Sequence, residues 1–141
     1  MDLLMIAVLG VLGIAAASQL SHRIGVAPAL ILLAAEPVFS EQQLARALIA
    51  CQAAGIAALI ALNKADLAAP FALAWQRLAP YRRMGCAVLP LAAAPHAPLP
   101  ASTAPPLTAQ TLAAAHLAGR ATLVLGPSGA GKSTLINALI P

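Results

Sequence analysis

Charge is what this sequence has least of. Asp, Glu, Lys and Arg make up 9% of its 141 residues, where an ordinary soluble domain carries roughly a quarter. With 61% hydrophobic residues beside it, that scarcity excludes intrinsic disorder and raises the question of a membrane segment. Much of the apolar count is alanine, which buries little area, so the total overstates core-building capacity. Acidic residues are the scarcer sign, 4 against 8 basic, for a net charge of +4. The positive charges are too thinly spread to form a basic patch, Arg82 and Arg83 being the only adjacent pair. Such a balance is compatible with phosphate-rich partners and establishes none. Cysteine is scarce too. Cys51 and Cys86 are the only two and do not sit at metal-ligand spacing, which leaves no disulfide framework. They read as small core residues in a reducing cytoplasm. A chain of this length holds one compact domain rather than two.

Residues 1–28 stand apart as a hydrophobic segment. Leu3 to Leu20 is almost uninterrupted apolar sequence, followed by Ser21-His22-Arg23. A bilayer span needs about 20 apolar residues, so residues 3–20 are a candidate membrane anchor, with a buried helix or a misjoined N-terminus as the other readings. The segment does not read as a secretory signal, because its first residues offer Asp2 and no Lys or Arg. From Met1 to about Leu33 it resembles the opening helix of cation/proton antiporters, on the apolar pattern and the run Arg23-Ile24-Gly25-Val26-Ala27-Pro28.

From Ala29 the pattern alternates between strands and helices. Leu30 to Leu33 is a short apolar run that predicts a strand buried on both faces. Ser40 reads as a helix N-cap with Gln43 completing a capping box, and Gly55 stops that helix. Ile56 to Leu62 predicts a second strand ending at Asn63. A second helix is expected from about Phe71 to Met84, kinked or split at Pro80. Cys86 to Leu91 predicts a third strand. Residues 90–107, with Pro90, Pro95, Pro98, Pro100, Pro105 and Pro106, read as a loop. A helix over Thr108 to Leu117 and a strand over Thr122 to Leu125 follow, then a last helix. Alternation of this kind implies an α/β fold with a parallel sheet, whose ligands bind at the carboxyl ends of the strands.

Two motifs fall at such ends. Gly126-Pro127-Ser128-Gly129-Ala130-Gly131-Lys132-Ser133 matches G-x-x-x-x-G-K-[ST], between a predicted strand and a predicted helix. Its glycines let successive backbone N–H groups turn inward toward phosphate oxygens, and the helix start adds unpaired donors and the positive end of its dipole. Lys132 supplies a mobile cation for the β- and γ-phosphates. Ser133 is placed to ligate Mg²⁺, and Thr134 to meet the α-phosphate. The loop alone does not choose between ATP and GTP, and Gly126 to Leu135 also resembles the loop of ATP-binding-cassette transporter subunits.

Asn63-Lys64-Ala65-Asp66 makes the choice. A carboxylate only accepts hydrogen bonds, and guanine offers two adjacent donors, N1–H and the exocyclic amine. Asp66 can take both. Adenine presents an acceptor at N1 and no amine at C2, which would leave Asp66 buried and unpaired. Asn63 can supply an amide to the base and tie its loop to the phosphate loop, and the stem of Lys64 can lie over the ring face.

The base reader precedes the phosphate loop, the reverse of most small GTPases, so the order is circularly permuted. This order, with Ala35-Glu36-Pro37-Val38-Phe39-Ser40-Glu41-Gln42-Gln43-Leu44-Ala45-Arg46-Ala47-Leu48, Gly55, Leu62 to Leu67, Leu78-Ala79-Pro80-Tyr81, Gly119-Arg120 and Gly126 to Pro141, resembles the bacterial ribosome small-subunit-dependent GTPase A family. The resemblance runs from Leu30 to the end. It implies a three-layer P-loop NTPase fold over residues 29–141, and a protein that binds GTP or GDP with Mg²⁺ and hydrolyses GTP late in maturation of the small ribosomal subunit. It implies that subunit and its rRNA as partners and the cytoplasm as location. Set against the family pattern, the chain has the hydrophobic segment where an oligonucleotide-binding barrel is expected, and Ala92-Ala93 where the fifth motif reads Ser-Ala. Switch I, the Asp-x-x-Gly of switch II and the zinc-binding domain are missing after Pro141, so a truncated domain with little or no hydrolysis is expected. Cys51, Cys86, His22, His96 and His116 are too scattered to replace that zinc site. The rival readings are an ATP-binding P-loop fragment and a membrane protein anchored by residues 3–20.

Overall fold

The computed structural model describes residues 29–36, 38–94 and 105–140. The apolar stretch 3–20 and its antiporter-like run lie outside them, as does the middle of the proline-rich segment. Among the described residues no helix is long and apolar enough to cross a membrane.

The apolar run that opens this region becomes β1, Ala29–Ala34, with all six residues buried. Strand alternation sends its side chains to opposite faces. Leu30, Leu32 and Ala34 pack with Leu112 and Leu135 on one side, and Ile31 and Leu33 with Leu44, Ala74 and Leu78 on the other. Each fully buried leucine there contributes about 2 kcal/mol of burial free energy. Two-sided burial requires helices over both faces, and they are present. Helices α1 (Glu41–Ala53), α2 (Ala68–Arg77) and α3 (Ala79–Arg83) cover one face. Helix α4 (Ala109–Leu112), running on into a π-helical turn at Ala113–Leu117, and α5 (Lys132–Leu139) cover the other. The remaining strands are β2 (Ala58–Asn63), β3 (Ala87–Pro90) and β4 (Val124–Leu125). All pair in parallel in the order β3-β2-β1-β4. This is the three-layer α/β architecture expected from the sequence.

Several element ends differ from the sequence reading. Ser40 does cap α1, its side chain accepting from Gln43 N–H at 3.3 Å. The reciprocal capping box, however, is formed by Thr108 and Thr111 at the start of α4. Ser40→Ala is expected to lower stability by about 1 kcal/mol, seen as a lower urea midpoint at unchanged slope. Strand β2 starts at Ala58 rather than Ile56, because the Ile56 N–H is committed to the Cys51 carbonyl that closes α1. Helix α2 starts at Ala68, three residues before Phe71. Pro70 falls in its first turn, where a missing N–H costs nothing. Pro80 splits the helix as expected, sitting in the first turn of α3. Pro90, where the predicted strand Cys86–Leu91 and the predicted loop overlap, belongs to β3, which runs Ala87–Pro90 and tolerates it at the sheet edge. Strand β4 is only two residues long, shorter than the predicted Thr122–Leu125.

Candidate functional site

Strand β1 lies between β2 and β4, and the chain leaves β2 beside Ala34 and β4 beside Ile31, on opposite sides of β1. Asn63 ends β2 and is buried. Lys64 follows with φ at +65°, the one non-glycine residue in the left-handed region among the described residues. That turn lets the chain double back, and Ala65 N–H donates to the Leu91 carbonyl at 3.1 Å, anchoring the loop to the end of β3. Asp66 comes next, half-buried in the turn that leads into α2.

The phosphate loop leaves β4 at Gly126 and enters α5 at Lys132. Gly126 is forced by contact rather than by torsion. A Cβ built there would stand 2.4 Å from the Leu32 carbonyl oxygen of β1. Gly131 is forced by both, with φ at +95° and a built Cβ 2.3 Å from Asn63 Nδ2. Ser128 and Gly129 are exposed at the crest of the loop, whereas Ala130 is buried beneath it. Lys132 folds back over the loop, its Nζ donating to the Gly126 carbonyl and to the Pro127 carbonyl, the latter at 2.9 Å. Ser133 and Thr134 are exposed on the first turn of α5.

One side chain joins the two motifs. Asn63 Nδ2 donates to the Ala130 carbonyl at 3.1 Å, and Asn63 Oδ1 accepts from Ala93 N–H at 3.0 Å. Both bonds are buried, where an unmet polar group costs more than a made bond contributes. A single amide thus holds together the Asn63–Asp66 loop, the Gly126–Gly131 loop and the segment after β3. Lys64 Nζ donates to the Glu36 carbonyl at the end of β1, which fixes the run of its aliphatic stem across the top of the sheet.

The partners that sequence reading missed are mostly backbone atoms: the carbonyls of Glu36 and Ala130 and the N–H of Ala93. A backbone atom carries no residue-type signal, so only the fold could reveal them. Arg77 was missed as well. It donates to Glu41 Oε1 at 3.1 Å and to the Phe39 carbonyl at 3.4 Å, and its guanidinium lies 4.5 Å from the centre of the Phe39 ring. Cys51 is buried as expected, and burial pushes its thiol pKa up, away from reactivity. Cys86 is half-buried. Among the described residues no group of His, Cys, Asp and Glu is placed to hold a metal ion.

Comparison with known proteins gives this arrangement a setting. A family profile described as RsgA GTPase matches residues 23–141. The small ribosomal subunit biogenesis GTPase RsgA of Variovorax paradoxus is 58% identical over 112 residues, covering 79% of this chain and 32% of the relative. Its counterpart from Ralstonia nicotianae is 47% identical over 114 residues, covering 79% of this chain and 32% of the relative. That from Burkholderia mallei is 46% identical over 112 residues, covering 79% and 33%. The chain therefore spans about one third of the length of the curated relatives it matches.

Proposed function

The chain belongs to the RsgA GTPase family, and from that premise we propose that residues 29–141 form a circularly permuted guanine-nucleotide-binding domain serving small ribosomal subunit biogenesis. In this reading the backbone of Gly126, Pro127, Ser128, Gly129, Ala130 and Gly131 cradles the phosphates. Lys132 neutralises their charge and Thr134 meets the α-phosphate. Asp66 accepts from guanine N1–H and its exocyclic amine, the Lys64 stem covers the ring face, and Asn63 holds the two halves in register. GTP and GDP are the ligands, and the small ribosomal subunit with its rRNA is the partner, in the cytoplasm. The observation that carries the reading is the buried Asn63–Ala130 hydrogen bond, which joins two motifs 67 residues apart.

Mg²⁺ fits the same reading. Ser133 is exposed on the first turn of α5 and would hold the ion against the phosphates. The ion supplies charge neutralisation at the β- and γ-oxygens. Binding is the part of the activity these residues support. Hydrolysis needs an attacking water positioned by groups beyond the phosphate loop.

The test is titration of the purified chain with fluorescent GDP and fluorescent ADP, repeated with Asp66→Ala. GDP should bind in clear preference, and the substitution should weaken it roughly 100-fold while leaving ADP unchanged. Equal binding of both nucleotides by the parent chain would favour a P-loop that works without base reading.

A further inference from the structure

We infer that Arg77, which touches neither motif, is a positioning residue for the phosphate loop and acts through Phe39. The inference rests on the nucleotide-binding reading above. Phe39 is buried to 3% exposure, although its neighbour Val38 is 73% exposed. Phe39 lines a cavity of about 180 Å³ with Ala34, Ser40, Pro127, Ser128 and Ala130, beside the Gly126–Gly131 loop. Space on that side means the loop is not braced by close packing there, so the position of the Phe39 ring decides how far Pro127 and Ser128 can relax.

Arg77 holds Phe39 by two contacts and is itself held by a third. Its guanidinium lies over the ring, one nitrogen reaches the Phe39 carbonyl, and another reaches Glu41 at the start of α1. A planar fork makes all three contacts at once, which a lysine cannot do. Arg77 ends α2, the helix into which Asn63–Asp66 leads, so it connects that helix to Phe39, which borders the same cavity as Pro127 and Ser128. The connection through Asn63 is a buried amide. This one is a cation on an aromatic ring, partly open to solvent, and is therefore the adjustable one.

The experiment is a double-mutant cycle on the full chain with Arg77→Met and Phe39→Leu, read by GDP titration and, separately, by urea unfolding. Each single change should weaken GDP binding about fivefold, and the double variant should be no weaker than Phe39→Leu alone. If Arg77 is merely structural, the urea midpoint falls and the folded protein binds GDP like the parent, which overturns the inference. Multiplicative losses in the double variant overturn it too, since the two residues would then act separately. Should Arg77→Met not fold, Arg77→Lys keeps the charge toward Glu41 and still gives a partial loss of affinity; parental affinity there would refute the role. Failure of the underlying reading looks different: GDP would bind Asp66→Ala as tightly as the parent chain.

Discussion

Gly131→Ala is expected to reduce GDP affinity by at least roughly 100-fold while leaving most of the sheet intact. Two separate penalties meet at this residue. An alanine at φ +95° is held in a conformation that costs an L-residue about 1–2 kcal/mol. The added methyl would also stand 2.3 Å from Asn63 Nδ2, well inside any non-bonded contact. Either the loop lifts or Asn63 swings away, and if Asn63 swings its two buried hydrogen bonds go with it. Leaving those groups unmet costs about 1–3 kcal/mol each. Fluorescent GDP titration reads the loss of binding, and urea unfolding shows whether the domain persists. Parental affinity in Gly131→Ala would mean that the loop does not hold phosphate in the conformation described.

Asn63→Ala should come close to this effect from the other side of the contact. It leaves the Ala130 carbonyl and the Ala93 N–H buried and unpaired, a loss of about 2–4 kcal/mol in unfolding free energy. GDP binding should fall by at least roughly tenfold, because three segments lose their common anchor. The two substitutions share one contact, so they should not add. Once the Asn63 amide is gone, the methyl that Gly131→Ala introduces has nothing to strike, and the double variant should be less damaged than the sum of its parents. Strict additivity would show that the clash at Gly131 is relieved elsewhere.

Much of this was legible in the sequence because it depends on residue type. Leu30–Leu33 is apolar without alternation, which is consistent with a strand buried on both faces, and β1 is that strand. The glycines of the phosphate loop and the Asn-Lys-Ala-Asp run are side-chain signals at fixed spacing. Element ends were less legible because they depend on where particular N–H groups go. Ile56 looks like strand sequence, yet its N–H closes α1. Pro90 looks like loop sequence, yet a sheet edge accepts it. The tie from Asn63 to the Gly126–Gly131 loop was legible in the Asn63 amide, whereas its partners were hidden for a further reason. They are the Ala130 carbonyl and the Ala93 N–H, and an alanine in a sequence announces nothing about either.

The two-residue strand β4 has a consequence for how the molecule comes together. Its pairing with Leu30 and Ile31 closes a loop of roughly ninety residues, at an entropic cost of about 4 kcal/mol, against the short-range closures that unite β1, β2 and β3. Strands β1 to β3 form a unit of local connections that can assemble early. The Gly126–Gly131 loop follows the strand with the most distant pairing and the shortest ladder. The shortest seam of the sheet is therefore the one that carries the Gly126–Gly131 loop. A ligand spanning both motifs would act as a clasp across that seam, stabilising the closed chain in proportion to the logarithm of its concentration. Occupancy and completion of the fold would then be linked in one equilibrium.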